Sequence, residues 1–241
     1  MSDAPVTVGR APNKAPDRIA GMFDAIAPRY DLLNHILSAG IDRRWRDRAL
    51  RSLRLTGHDT LLDVCTGTAD VALQAHGASR VIGVDFAAAM LAVGRRKLLV
   101  AEEGRRITLV RGDATHLPVR DGIADAATVA FGIRNVERPE RACAELSRVM
   151  RSGGRLAILE FGVPRVPGIR TLYLWYFKYL LPSIGRMVSG HNVAYSYLPA
   201  SVGTFPPPHA FAAMLEQAGF ADVRADPLTF GITYLYTATR L

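Results

Sequence analysis

The sequence has few cysteines, and none of them is spaced for metal binding. Cys65 and Cys143 are the two cysteines among 241 residues, and no C-x-x-C pair occurs. This scarcity argues against a disulfide scaffold or a zinc site, and it suits a reducing cytosol. We therefore expect no metal site and a cytoplasmic protein.

Long apolar runs are also missing. The most apolar late stretch, residues 172–181, is interrupted by Lys178 and followed by Pro182, so it is too short to span a bilayer. Residues 1–17 are rich in proline and polar side chains and lack an apolar core. They predict a flexible tail rather than a signal peptide or an anchor.

The basic charge is not gathered into one block. The formal net charge is +8, and arginines cluster in segments 43–54 and 95–97. No aromatic-rich RNA-binding motif or zinc finger accompanies them, so no nucleic-acid partner is expected. Each cluster is interpreted first as a solvated helix face and second as a contact with an anionic membrane surface.

From Thr60 onwards the pattern alternates between strand and helix, which predicts a single α/β domain over residues 18–241. Helices predicted over 18–33 and 42–55 form a cover (18–55) ahead of the first strand, with a break at Pro28. Several strands are apolar throughout, as expected for a mostly parallel sheet with helices on both faces. The predicted strands are 60–65, 81–85, 107–111, 124–131, 155–161, 221–227 and 232–239, the last pair closing an antiparallel edge.

A long insertion, residues 164–208, carries eight aromatic side chains between Tyr173 and Phe205. It could be a helical appendage that packs on the core, or a lid and pocket for an apolar substrate. We favour the second interpretation, because the insertion follows a strand whose carboxyl end should face a ligand.

The loop after the first strand, Thr66–Asp70, contains a single glycine, Gly67. A dinucleotide-binding loop needs G-x-G-x-x-G so that a pyrophosphate can approach the backbone, and that pattern fails here. A ligand with a ribose and no phosphate tolerates this loop, and S-adenosylmethionine is such a ligand.

Acidic residues follow three successive predicted strands. Asp85 can accept from both ribose hydroxyls, and Asp113 from an adenine amino group, while the Ala114 N–H can donate to a ring nitrogen. Asp63 can interact with the ammonium group of the ligand, directly or through water. Any one of these acids could be a helix cap, but three at one sheet edge predict a nucleoside ligand.

Three further stretches extend the pattern beyond a generic nucleotide fold: Phe23–Asn34, Phe131–Val136 (Phe-Gly-Ile-Arg-Asn-Val) and Arg148–Phe161. With them, the chain from about Ile19 onwards resembles class I S-adenosylmethionine-dependent methyltransferases. It is most similar to the ubiquinone/menaquinone biosynthesis C-methyltransferase family. The resemblance implies a Rossmann-like seven-stranded fold, and cofactor contacts from Gly67, Thr68, Asp85, Asp113 and Ala114.

The resemblance also implies methylation of a ring carbon of a polyprenylated quinol. The first loop favours demethylmenaquinol over a benzoquinol, since it looks more like that of menaquinone-only members. Two positions depart from the family pattern: Ala69 stands where many members have glycine, and Ala130 where members often have serine. At Ala130 the side-chain contact of a serine with the cofactor is lost, and a contact through the backbone of Ala130 is expected instead.

Methyl transfer to carbon requires an electron-rich ring, which arises when the adjacent phenolic hydroxyl is deprotonated. Arg134 and Asn135 are expected to hold that oxygen, and Tyr195 and His191 are candidate proton acceptors. A salt bridge between Arg134 and Glu160 is the structural alternative.

Membrane contact is expected as well, because a polyprenyl tail resides in the bilayer. Other interpretations stay open: a different apolar acceptor, or a non-catalytic scaffold of a quinone-biosynthesis assembly. The oligomeric state is open too, with a homo-oligomer among the expectations.

Overall fold

The computed structural model describes residues 14–176, 179 and 192–241, without the side chains of residues 36, 37 and 192–196. His191 lies outside the described residues. Tyr195 lies in a described helix, but its side chain is outside the description. The predictions made for these two residues therefore stay predictions.

Three helices precede the sheet. They are α1 (Pro16–Ile26), α2 (Tyr30–Ser38) and α3 (Ile41–Ser52). Pro28 lies in a 3-10 turn, Ala27–Arg29, which separates α1 from α2 where the sequence predicted a break. α1 begins at Pro16, inside the segment predicted as a tail. We call α1 to α3 the helical cover.

Seven strands form one sheet in the order β3-β2-β1-β4-β5-β7-β6. β1 to β5 are parallel, and β7 runs antiparallel to both of its neighbours. This confirms the predicted mixed sheet with an antiparallel C-terminal strand, but β7 is inserted between β5 and β6, so β6 forms the edge. The strands are β1 (Thr60–Val64), β2 (Arg80–Asp85), β3 (Ile107–Arg111), β4 (Ala124–Ala130), β5 (Met150–Phe161), β6 (Phe220–Leu228) and β7 (Thr233–Arg240).

The strand β5 begins five residues earlier than predicted. A Gly-Gly pair such as Gly153-Gly154 is typical of a turn before a strand, but pairing with β4 already starts at Met150. The register then shifts, so that Ala126 faces Arg155, and Gly153 takes a φ of +76° inside this irregular stretch. The glycines thus mark a bulge rather than a turn.

Helices cover both faces of the sheet, as expected when parallel strands are apolar throughout. One core cluster joins the strands to Leu146 and Phe211, and the other joins them to Trp45 and Ala72. The remaining helices are α4 (Asp70–Gln74), α5 (Ala88–Val100), α6 (Pro139–Val149), α7 (Pro167–Trp175), α8 (Asn192–Thr204) and α9 (Pro208–Gln217).

The strand order reverses between β2 and β4, on either side of β1. Ligands of open α/β sheets bind at such a switch point, beyond the carboxyl ends of the strands. β1 and β4 both end at a left-handed residue, Cys65 with φ +56° and Phe131 with φ +59°. These two residues turn the chain out of the sheet, and the candidate site lies in the crevice that they border.

Candidate active site

Two neighbouring cavities occupy this crevice, with volumes of about 520 Å³ and about 120 Å³. The larger cavity is bordered by the helical cover, the β1 and β4 loops and α7, and the smaller one by the loops after β2, β3 and β4. The two share part of their walls, so groups bound in each would meet. The shared residues are Phe23, Tyr30, Cys65, Gly67, Ala130 and Phe131.

The β1 and β4 loops are pressed together at this common wall. A Cβ on Gly132 would collide with the Cβ of Cys65, so the approach requires glycine. In the β1 loop Ala69 has a φ of +67° and is fully buried. This is the position at which family members were expected to carry glycine, and alanine retains the left-handed conformation at a cost of about 1 kcal/mol.

Asp63 ends β1 beneath the larger cavity and is 1% exposed. The Thr66 hydroxyl donates to Oδ2 over 2.5 Å, whereas Oδ1 is buried and has no hydrogen-bond partner among the described residues. Burial raises the pKa of Asp63 to about 7, opposed by the Thr66 bond and assisted by the charge of Asp85. An unpartnered carboxylate oxygen at a cavity is suited to a cationic group, as predicted for the ligand's ammonium.

Asp85 ends β2 and ties the first loop to the sheet. Its carboxylate accepts hydrogen bonds from the N–H of Gly67 (2.8 Å) and of Ala87 (2.9 Å). Burial raises the pKa of Asp85 in spite of these bonds. The side chain is 8% exposed and borders the smaller cavity, where the sequence predicted a ribose.

Asp113 and Ala114 also border the smaller cavity. Asp113 Oδ1 accepts from the backbone N–H of Thr115 (2.7 Å) and from its hydroxyl (2.9 Å), which fixes the turn after β3. Asn135 also borders this cavity, and its Oδ1 is buried without a partner in the described part of the chain. These acceptors fit an adenosine: the carboxylates can accept from hydroxyl and amino groups, and the amide oxygen of Asn135 can accept from a further donor.

Arg134 borders the larger cavity, whereas Asn135 borders the smaller one. The two side chains therefore do not share a wall, although the sequence predicted that both would hold the same oxygen. Its guanidinium Nη1 donates to Glu160 Oε1 (2.8 Å) and to the carbonyl of Phe131, and its backbone N–H donates to Glu160 Oε2 (3.1 Å). Glu160 is fully buried. The salt bridge of the structural alternative is therefore present. Arg134 also borders the cavity, and its contact with a ring oxygen stays a prediction.

Thr68 reaches the larger cavity, but its hydroxyl is already engaged with the helical cover. It donates to Asp31 of α2 (2.6 Å) and accepts from Lys97 of α5 (3.1 Å). Lys97 also bridges Asp31 and Asp70, at 2.6 Å each. Thr68 is therefore an anchor for the cover, and a cofactor contact through its side chain stays a prediction.

The cover is held at two further points. The Asp24 carboxylate of α1 accepts from the N–H of Ala89 in the first turn of α5 (2.8 Å), which gives that helix a cap from a distant part of the chain. On α3, Arg46 pairs with Asp42 (2.9 Å) and Asp70 (3.1 Å). Arg46 is 6% exposed, so it does not belong to a solvated basic face.

Aromatic side chains from several parts of the chain line the larger cavity. Phe131 and Phe161 stack with ring centroids 4.5 Å apart, and Trp45 packs edge-on against Phe161. Tyr173 of α7 and Tyr30 of α2 complete this part of the wall. Tyr173 belongs to the insertion for which the sequence predicted an apolar pocket, whereas no contact with a ligand was predicted for Tyr30 and Trp45 of the cover.

Comparison with known proteins places these features in a family. The profile of the ubiE/COQ5 methyltransferase family matches residues 12–240. The chain is 49% identical to the ubiquinone/menaquinone biosynthesis C-methyltransferase UbiE of Syntrophotalea carbinolica, over 91% of this chain and 92% of that protein. It is 46% identical to the demethylmenaquinone methyltransferase of Thermus thermophilus, over 91% of this chain and 100% of that protein.

Among solved structures, the fold is similar to a putative S-adenosyl-L-methionine-dependent methyltransferase from Methanococcus maripaludis. The TM-score is 0.64 at 18% identity, and the match covers 96% of this chain and 97% of that one. At this identity the likeness concerns the fold alone, and it agrees with the strand order described above.

Proposed function

The chain belongs to the ubiE/COQ5 methyltransferase family, and from that premise we propose that it methylates a ring carbon of demethylmenaquinol to give menaquinol. It is an S-adenosylmethionine-dependent C-methyltransferase of quinone biosynthesis, as its relatives are named. The naphthoquinol acceptor rests on the relatives named demethylmenaquinone methyltransferase and on the first loop.

One observation carries the proposal: a large aromatic-lined cavity shares a wall with a small polar one. The small cavity fits adenosine through Asp85, Asp113 and Asn135, and Asp63 lies where an ammonium group would follow. Bound S-adenosylmethionine supplies a methyl group on a positively charged sulfur. The shared wall supports the proposal, because a methyl donor on its small-cavity side would adjoin a planar ring packed against Phe131 and Phe161, and an in-line displacement needs that proximity.

The protein contributes electrostatics and the exclusion of water. Arg134 presents positive charge to the larger cavity, where a ring oxygen becomes anionic. The Nε of Arg134 is buried without a partner among the described residues, so this N–H is still available after the pairing with Glu160. Residues of the helical cover border both cavities, and the water that they displace from bound groups would strengthen these interactions.

The test is a transfer assay on the purified protein. Methyl-labelled S-adenosylmethionine is incubated with a reduced naphthoquinol and, in parallel, with a reduced benzoquinol, both with short prenyl tails and under anaerobic conditions. Label in the naphthoquinol is expected. Preferential labelling of the benzoquinol would replace the acceptor, and cofactor binding without transfer to either ring would favour the scaffold.

Association with a membrane surface is proposed as part of this function, because the substrate carries a polyprenyl tail. Among the described residues, no helix is both long and apolar enough to cross a bilayer. α7 instead exposes apolar side chains, with Leu172 64% and Trp175 51% accessible, and both also border the larger cavity. Arg165 and Arg170 flank them and are exposed, which suits an anionic lipid surface.

Flotation with vesicles tests this surface. Leu172→Glu and Trp175→Glu should each reduce binding to vesicles that contain anionic lipid. The matched control is Leu99→Glu on α5, since Leu99 is 85% exposed and lies outside both cavities. Equal losses in all three variants, or no binding by the wild-type protein, would contradict the proposed surface.

A further inference from the structure

The hydroxyl of Tyr197, on α8, is buried and has no hydrogen-bond partner in the part of the chain that the structure describes. Tyr197 borders the larger cavity. Buried hydroxyl groups in native proteins nearly always find a partner, and each one left unsatisfied is costly. Because Tyr197 borders a cavity, we expect its unsatisfied hydroxyl to form a hydrogen bond with a group on a bound ligand.

Tyr197 lies within the electrostatic reach of the buried ion pair. The positive charge of Arg134 and the negative charge of Glu160 both act on its hydroxyl. The backbone agrees with this, because α8 contacts the 3-10 turn Ile133–Asn135. Arg134 Nε is the second buried polar atom here without a described partner. Two unsatisfied groups thus border one cavity.

Both groups act as donors. A guanidinium has no acceptor. Burial raises the pKa of Tyr197, with a smaller opposing effect from Arg134, so the phenol keeps its proton at neutral pH. Two groups that can both donate to one oxygen atom suit an acceptor there, and the adjacent guanidinium charge favours that oxygen as an anion.

We propose that Tyr197 is a catalytic residue that donates a hydrogen bond to the ring oxygen of the acceptor and, together with Arg134 Nε, holds it as the phenolate. This inference rests on the proposed function and deepens it, and the roles of Tyr195 and His191 as proton acceptors stay predictions. The aromatic wall of Phe131 and Phe161 orients the ring, and the two donors fix its edge.

The proton and electron balance is simple. The hydroxyl proton passes to water, and the new carbon–carbon bond takes an electron pair from the ring carbon while the methyl–sulfur bond leaves its pair on sulfur. The proton on the methylated carbon later returns to the ring oxygen through water. One proton is released in total, and Tyr197 keeps its own proton throughout.

The experiment compares Tyr197→Phe with the wild-type protein, and with Tyr236→Phe as a matched control. Tyr236 is a buried tyrosine of β7 that packs against Phe211 and borders neither cavity. Cofactor affinity is measured by calorimetry, thermal stability by scanning calorimetry, and kcat and KM with a short-tailed reduced naphthoquinol between pH 6 and pH 9.5.

Tyr197→Phe should leave the cofactor affinity and the melting temperature unchanged and lower kcat/KM at pH 7 by about 10- to 100-fold, the size of one hydrogen bond to a charged group. The acidic limb of the kcat profile of Tyr197→Phe should move to higher pH. The loss of activity relative to the wild-type protein should therefore become smaller as the pH rises. A naphthoquinol with an electron-withdrawing substituent has a more acidic hydroxyl, so with this substrate the variant should also lose less activity relative to the wild-type protein. Tyr236→Phe should show neither effect.

A wild-type pH profile and rate in Tyr197→Phe would overturn the role of Tyr197 while leaving the proposed function intact. A uniform loss at every pH would do so as well, because it would indicate a structural role. If the wild-type protein turned over neither quinol, both the proposed function and this inference would fail.

Discussion

Replacing Asp63 with asparagine should stabilise the protein and weaken cofactor binding at the same time. The native pKa of about 7 lies above the ordinary value of 3.8 because the carboxyl is buried. Between these two values the unfolded chain releases a proton that the native state keeps. The stabilising contribution of Asp63 is therefore fully present below pH 3.8 and is lost as the pH rises towards 7.

The size of the effect follows from the same pKa values. At 1.36 kcal/mol per pH unit, keeping Asp63 ionised in the native state above pH 7 costs about 4 kcal/mol. Asparagine carries no charge, and its amide oxygen still accepts from Thr66. Relative to Asp63→Asn, the wild-type protein should lose about 2 to 3 kcal/mol of unfolding free energy between pH 5 and pH 8.

Urea denaturation at pH 5 and pH 8 without cofactor, and calorimetric titration with S-adenosylmethionine, measure the two effects. The variant should bind the cofactor about tenfold or more weakly at pH 8, because a charged partner of the ammonium group is removed. Wild-type affinity should rise from pH 6 to pH 8, as Asp63 ionises.

Asp59, immediately before β1, provides a control of opposite sign. Although burial alone would raise the pKa of Asp59, the Thr56 N–H and the Arg155 guanidinium hold it below the ordinary value. Asp59→Asn should therefore destabilise the protein at pH 8 and leave cofactor affinity unchanged. The reasoning is refuted if Asp63→Asn has the same stability difference from the wild type at both pH values, or binds cofactor normally.

Three further perturbations test the remaining contacts. Asp85→Ala removes the acceptor for the Gly67 N–H and the predicted ribose contact, so calorimetry should show cofactor affinity reduced more than tenfold. Arg134→Ala leaves Glu160 charged and unpaired in the core, which should lower the unfolding free energy by about 3 to 5 kcal/mol; adding Glu160→Gln should restore part of that stability in urea titrations but no turnover. Lys97→Met should lower stability by less than about 1 kcal/mol, since the ion pairs are partly exposed, yet speed amide hydrogen exchange throughout the cover; unchanged exchange would count against its anchoring role.

Much of the fold could be predicted because local signals and tertiary structure agree. The apolar runs of β1, β2 and β4 require a sheet covered on both faces, and the carboxyl ends of parallel strands meet at one edge. Asp85, Asp113 and Ala114 could be placed around one ligand for this reason alone. The insertion of β7 between β5 and β6 depends on which strand pairs better, and strand periodicity carries no such information.

The polar contacts of the candidate site were harder to predict, since they join distant parts of the chain. Thr68 has helix partners 37 and 29 residues away, at Asp31 and Lys97. Its sequence context pointed to a cofactor contact, but the fold uses its hydroxyl to hold the cover. The separation of Arg134 from Asn135 likewise follows from the 3-10 turn, which directs adjacent side chains to different cavities.

The two cavities open through rims of different chemistry, and this bears on the order of events in the catalytic cycle. The exposed residues at the smaller cavity include Pro16, Glu137 and Arg138, whereas those at the larger one are Leu172 and Trp175. With the proposed function, a hydrophilic reactant and a lipid reactant would enter these adjoining cavities through separate openings. Each reactant could then bind or leave while the other stays bound, so double-reciprocal plots of the initial rates should intersect. Each product should compete only with the reactant that uses the same opening.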